Sequence, residues 1–223
     1  MRKAIVSGAN GFVGSAVVKE LISQGYEVYA LVRENHYDQV PINEMVRIVP
    51  FSLENIEALG EVIPINEYEA FYHFAWNGSA GVDRADTALQ LKNAQWTVEC
   101  LQMAKRLGCK RFVPAGSIME HETIAAVYTQ GNRPGAGYIY GSGKVAAHMM
   151  CMSMAVKEGI NLVWPKITNA YGPSERSPRL VNSTIRKCIA GEDPQFTAGT
   201  QNYDFVYIDD VARAFRLIGE KGK

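Results

Sequence analysis

Tyr140 and Lys144 stand four residues apart in the stretch Tyr140-Gly141-Ser142-Gly143-Lys144. On a helix this spacing turns both side chains to one face. An ammonium beside a phenol favours the tyrosinate and draws its pKa down from about 10 toward the neutral range. A tyrosine so placed can take a proton from a hydroxyl or give one to a carbonyl oxygen. The pair alone says little, because eleven tyrosines and as many lysines produce one by chance in about every second chain of this length. Its surroundings say more. Lys110-Arg111-Phe112-Val113-Pro114-Ala115-Gly116-Ser117 reads as a strand ending in a serine. That sets the Ser117 hydroxyl at a carboxyl edge of a sheet, where it can bond the oxygen that Tyr140 serves. A strand-terminating Gly-Ser turn is the plainer alternative.

A second group with chemical meaning is Gly8-Ala9-Asn10-Gly11-Phe12-Val13-Gly14, which follows a short apolar run and opens a helical pattern. In that context the spacing fits the pyrophosphate of a nicotinamide dinucleotide. Gly8 permits the tight turn, Gly11 lets the backbone approach the phosphates, and Gly14 lets the helix pack on the sheet. The helix N-terminus adds free N–H groups and a partial positive charge. Gly8, Asn10, Gly11, Phe12, Val13 and Gly14 are thus the candidate phosphate contacts, against the alternative of an ordinary strand-to-helix turn. The next strand ends Ala30-Leu31-Val32-Arg33, with no acid to accept bonds from the ribose hydroxyls. Arg33 can pair with a 2′-phosphate, which tilts the choice between NAD and NADP toward NADP. Glu34 can serve a ribose instead, and an exposed strand-end arginine explains Arg33 nearly as well.

The elements that must hold these residues are short apolar runs alternating with helical patterns. The runs 3–7, 27–32, 46–50, 70–75, 111–115 and 162–167 read as strands. The stretches 12–24, 53–62, 85–107 and 138–157 read as helices, and 118–137 and 170–180 as long loops. Strands that are apolar throughout suit a parallel sheet covered on both faces. Alternation of this kind implies right-handed βαβ crossovers and a doubly wound α/β fold.

Composition narrows the function. The 23 basic and 23 acidic residues cancel, and no basic run points to nucleic acid. No apolar stretch approaches membrane-spanning length, and the basic N-terminus has too short an apolar run for a signal peptide. Cys100, Cys109, Cys151 and Cys188 lack metal-ligand spacing and read as reduced core thiols of a cytoplasmic protein. His36, His121 and His148 form no metal cluster, and His73 reads as a buried strand residue. Met149, Met150, Met152 and Met154 read as core or dimer packing.

Together these motifs resemble the extended short-chain dehydrogenase/reductase family, in its group of NAD(P)-dependent sugar-nucleotide epimerases, dehydratases and reductases. The glycine turn, His73-Phe74-Ala75, Asn93, Ser117 with Tyr140 and Lys144, Thr168-Asn169-Ala170-Tyr171-Gly172-Pro173, and Asp204-Phe205-Val206-Tyr207-Ile208-Asp209-Asp210-Val211-Ala212 match its motifs in order. The resemblance implies a Rossmann domain over 1–167. A partial substrate-binding lobe over 168–223 is interleaved with the last Rossmann elements. It makes Ser117, Tyr140, Lys144 and Asn93 the catalytic set, with Lys144 also bonding the nicotinamide ribose and Asn93 supporting the site. Ala75 passes the cofactor, while Asn169 and Arg179 belong with the sugar diphosphate. Trp76 and Asn77 line the sugar pocket or a plain loop. The helices over 85–107 and 138–158 imply a homodimer with a four-helix interface.

Four departures bear on chemistry. Ser117 is followed by Ile118-Met119 where the family's 4,6-dehydratases have Asp-Glu, so no carboxylate pair is placed to expel water; Glu120 is one position too far along. Ser52 stands in place of an adenine-contacting Asp, Tyr203 and Lys166 in place of arginines. Family members usually continue well past the Asp-Asp-Val-Ala helix, so the resemblance implies either a tail that was cut or left out or a small substrate lobe. The expected function is an NAD(P)-dependent epimerase or 4-keto reductase acting on a nucleotide-diphosphate sugar. The alternatives are a non-catalytic nucleotide-binding regulatory module and an NADPH-dependent reductase of a non-sugar carbonyl.

Overall fold

The computed structural model describes residues 1–222. Its centre is a six-stranded parallel sheet. The strands are β1 (Arg2–Ser7), β2 (Tyr26–Val32), β3 (Val46–Pro50), β4 (Ala70–His73), β5 (Arg111–Pro114) and, after a two-residue β6 (Gly116–Ser117), β7 (Asn161–Leu162). The spatial order is β3-β2-β1-β4-β5-β7, the doubly wound arrangement read from the sequence, with the order reversing beside β1.

The strands are apolar on both faces because both are covered. Ile5, Leu31, Phe71 and Phe112 point to one side, toward α3 (Thr87–Arg106) and α5 (Ile139–Glu158). Ala4, Val6, Ala30, Tyr72 and Val113 point to the other, toward α1 (Phe12–Ser23) and α7 (Ile208–Lys221). A strand with one outward polar face would have alternated instead. Because α7 packs Val211, Ala212 and Phe215 into this second layer, the chain's last helix closes the Rossmann body.

Three sequence expectations are corrected. The stretch 162–167 is not one strand: after β7 the chain leaves the sheet at Trp164-Pro165, and β8 (Lys166–Ile167) pairs with β6 in a separate ladder. A proline has no N–H to give a continuous ladder. The stretch 53–62 is a 3-10 turn (Leu53–Asn55) and a one-turn helix, α2 (Leu59–Val62). The long loop 118–137 contains a helix, α4 (Met119–Tyr128).

Beyond β8 lie β9 (Asn169–Tyr171), α6 (Leu180–Ile189) and β10 (Phe205–Tyr207), with β9 and β10 paired in parallel. Cys100, Cys109 and Cys151 are buried, whereas Cys188 on α6 is exposed, contrary to its reading as a core thiol. Met154 packs against the core, but Met149, Met150 and Met152 face outward. No described helix is long and apolar enough to cross a membrane.

Candidate active site

The register aligns Ser7, His73 and Pro114 at the carboxyl ends of β1, β4 and β5. A cleft of about 420 Å³ opens along this edge and runs from the glycine turn to Tyr140 and Lys144. Every cofactor contact expected from the sequence lines it: Gly8, Asn10, Gly11, Phe12, Val13, Gly14, Arg33, Ala75, Tyr140 and Lys144.

The turn is packed tightly on itself and on the end of β4. Gly8 has φ +65°, and a Cβ there would stand 2.8 Å from the Ala75 nitrogen. A Cβ on Gly14 would run into the Gly8 carbonyl. The first turn of α1 has neither a side-chain cap nor an acidic residue, so its N–H groups face the cleft without a built-in anion. Asn10 donates its side-chain amide to the His36 carbonyl at 2.7 Å, which fixes the loop after β2. Arg33 and Ser52 line the cleft beside that loop, and the Ser52 hydroxyl also caps the following 3-10 turn at Glu54 N–H. His73 is buried and burial pushes its pKa down to about 3, so it stays neutral; it shares a 2.8 Å hydrogen bond with Ser7. Ser7 Oγ in turn accepts from Ala75 N–H, which fixes the strand end along the cleft floor.

At the opposite end, Ser117, Tyr140 and Lys144 converge from β6 and the first turns of α5. Lys144 donates to the Ala115 carbonyl at 2.9 Å and lies 3.6 Å from the centroid of the Trp76 ring. Burial pulls its pKa down to about 7. The Trp76 ring meets Tyr140 edge-on at 5.9 Å and is held by a bond from Nε1 to Gln90 Oε1 at 2.8 Å. Burial raises the Tyr140 pKa; the Ser117 hydroxyl, Arg84 and Arg179 pull it back down, and Glu120 pushes it up.

The cation nearest the Tyr140 ring is therefore not the sequence-adjacent Lys144, 5.9 Å from its centroid, but Arg84 at 4.2 Å. Sequence reading missed Arg84, which is 56 positions upstream in a loop and carries no spacing signal.

Glu120 was set aside from the sequence as misplaced for acid catalysis, and its surroundings give it another role. Its carboxylate is 1% exposed. It accepts from Ser117 N–H at 2.8 Å, Trp164 Nε1 at 3.0 Å and His148 Nδ1 at 2.9 Å, with Lys166 Nζ at 3.7 Å. Fully engaged, it ties β6, β8, α4 and α5 together behind Ser117. His148 stacks on Trp164 at 4.5 Å and completes the cluster. Among the described residues no group of three or more His, Cys, Asp or Glu is arranged to hold a metal.

Asn93 does not enter the cleft. Buried on α3, it accepts from Asn77 N–H at 2.9 Å and donates to the Asn77 and Leu89 carbonyls. Both of its amide donors and its oxygen are engaged in pinning Asn77 in the loop after β4 and the turn of α3 before it. Trp76 and Asn77 line the first cleft. Asn169 lines a second cavity of about 390 Å³, which Arg179 shares with the first. The two cavities meet at Ser117 and Tyr140, so a molecule in the second reaches the same phenol as one in the first.

A model of the NAD dependent epimerase/dehydratase family matches residues 4–223. The chain is 26% identical over 221 residues to UDP-glucuronic acid decarboxylase 1 of Xenopus tropicalis, covering 94% of this chain and 52% of that protein, so it spans about half that relative's length. Its fold is similar to that of a UDP-N-acetylglucosamine 4-epimerase from Methanobrevibacter ruminantium in complex with UDP-N-acetylmuramic acid. There the TM-score is 0.81 at 20% identity, over 100% of this chain and 74% of the other. It is also similar to a UDP-glucuronic acid 4-epimerase from Bacillus cereus in complex with NAD, with a TM-score of 0.75 at 20% identity, over 99% and 75% of the two chains.

Proposed function

We propose, from the premise that this chain belongs to the NAD dependent epimerase/dehydratase family, that it moves a hydride to and from carbon 4 of a nucleotide-diphosphate sugar, in the sense of a 4-epimerase. The observation that carries the reading is one cleft with the glycine turn at one end and Ser117, Tyr140 and Lys144 at the other.

The residues present fit a nicotinamide dinucleotide. A turn with glycine at 8, 11 and 14 and an uncapped helix start suit a pyrophosphate, and Arg33, Ser52 and Asn10 line the same cleft. The Bacillus cereus epimerase in complex with NAD, similar in fold, favours that dinucleotide over the NADP suggested by Arg33. When bound, the cofactor supplies the hydride acceptor and donor. The chain's own residues handle the proton and the position. Tyr140 takes the proton from the sugar hydroxyl as the carbonyl forms and returns it afterwards. Ser117 donates to the same oxygen, and Lys144 bonds a ribose hydroxyl of the cofactor while keeping positive charge near the phenol. Asn169 and Arg179 hold the diphosphate side of the substrate in the second cavity. The Glu120 carboxylate is turned to Ser117 N–H, the Trp164 indole and the His148 ring rather than into the cleft, which argues against a part in 4,6-dehydratase chemistry.

Arg33 supports a second reading, a 4-keto reductase that consumes NADPH. The nucleotide released from protein purified under mild conditions separates the two. Bound NAD in stoichiometric amount fits epimerisation, and oxidation of NADPH only in the presence of a 4-keto sugar nucleotide fits reduction. Neither result, in protein that binds no dinucleotide, sinks both.

The reading extends to assembly and location. Met149, Met152 and Val156 form an exposed apolar stripe on α5, and Leu91 is exposed on α3, the helix packed beside it. They suit a homodimer through a four-helix interface. The cytoplasm is the compartment in which the unpaired cysteines stay reduced.

A further inference from the structure

Arg84 lies in the 3-10 turn Val82–Ala85, ahead of α3. Its guanidinium is half-buried, donates to the Ser79 carbonyl at 3.1 Å, and sits 4.2 Å from the centroid of the Tyr140 ring. Arg84, Tyr140 and Ser117 all face the second cavity. A cation over an aromatic face is attracted by the ring quadrupole, and it is attracted more strongly once the phenol loses its proton and the ring shares a full negative charge. The Arg84 charge is permanent, because a guanidinium does not deprotonate in a folded protein. Lys144 is different. It is buried, its ammonium is committed to the Ala115 carbonyl and the Trp76 face, and its pKa is pulled down to about 7.

We propose that Arg84 is a positioning residue for the charge on Tyr140: its stacked guanidinium favours the phenolate and so sets the pH range in which Tyr140 can exchange a proton. The proposal rests on the reading of Tyr140 as the acid/base group. The other charged and titratable groups facing the phenol are Lys144 on its own helix, Arg179 from the segment before α6, which acts in the same sense as Arg84, and Glu120 at the start of α4, which acts against it. Arg84 adds a fixed charge on the substrate side of the ring, where neither Lys144 nor Glu120 is placed.

The test is a pH titration of the whole chain, labelled with carbon-13 at the tyrosine ring carbon that bears oxygen and followed by NMR. A Tyr140→Phe sample assigns the resonance. Arg84→Met keeps much of the side-chain length and removes the charge; it is expected to make the Tyr140 phenol about tenfold weaker as an acid. Arg84→Lys should recover most of the difference, and Arg84→Gln should behave like Arg84→Met. With substrate, the rising limb of the pH–kcat profile should move to higher pH by the same factor, with little change in KM. A Tyr140 resonance that titrates alike in the wild type and both uncharged variants would overturn the proposal, as would Arg84→Lys behaving like Arg84→Met. The titration needs no substrate, so it stands apart from the choice of reaction. Full turnover by Tyr140→Phe would instead overturn the acid/base reading and leave the titration result intact.

Discussion

Lys144 shows how a residue chosen for chemistry weighs on the fold. It is buried, and its pKa falls to about 7 because burial penalises the charged form. In the unfolded chain it holds its proton up to about pH 10.4. The folded state thus binds fewer protons between these values. The cost of burying the charge is complete below about pH 7 and is relieved as pH rises toward 10. We expect Lys144→Met to raise the melting temperature of the cofactor-free protein, by most below pH 7 and by a shrinking margin above it; equal melting curves at pH 6 would count against a buried charge here. Tyr140→Phe should lower kcat by roughly 10²–10⁴, measured by steady-state kinetics. Tyr140 with Lys144 and the three glycines stood out in the sequence by local spacing, and Ser117 as the end of a strand; the fold brings them to one cleft. Arg84 and Glu120 did not stand out, because each acts on residues brought near only by the fold.

At the scale of elements, Glu120 joins two strands and two helices behind Ser117. Glu120→Ala would leave Ser117 N–H and the Trp164 indole without their acceptor, while the partly exposed Lys166 ammonium keeps its contact with His121. That should cost about 1–3 kcal/mol, measured by denaturant unfolding, because donors behind Ser117 lose their acceptor. Loss of less than about 1 kcal/mol would mean that the cluster is open to water. The same residue explains why α4 was hidden. Its buried positions are Glu120, Thr123 and Ala126, while Ile124, Val127 and Tyr128 are exposed, so no apolar stripe marks its inner face. The Gly- and Pro-rich run after it then made the whole stretch read as a loop. The sheet and the long helices α3 and α5 were legible because their apolar patterns are driven by the core they build, and only their ends moved. The split of 162–167 into β7 and β8 follows from Pro165 and from the ladder that β8 makes with β6, a long-range choice.

At the scale of the whole molecule, doubly wound topology explains why residues as distant as Gly8 and Lys144 meet. Parallel strands deliver every carboxyl end to one edge, and the order reverses beside β1, which leaves a crevice there. The exposed apolar stripe on α5 and Leu91 on α3 belong to the same scale. If they form a dimer, Met149→Glu with Met152→Glu should yield monomers by light scattering at concentrations where the wild type is dimeric, and a monomeric wild type would refute the assembly. The central claim is hydride movement at carbon 4 of a sugar nucleotide under the control of Tyr140. Its most direct measurement follows deuterium placed at carbon 4 of UDP-glucose, UDP-N-acetylglucosamine and UDP-glucuronic acid, each incubated with the chain and NAD. The account predicts that one of them is converted to its 4-epimer with the deuterium kept at carbon 4, passing through deuterated reduced cofactor, and that Tyr140→Phe suppresses the conversion. Epimer whose carbon-4 deuterium has washed out into water, or conversion that proceeds unchanged in Tyr140→Phe, would contradict it.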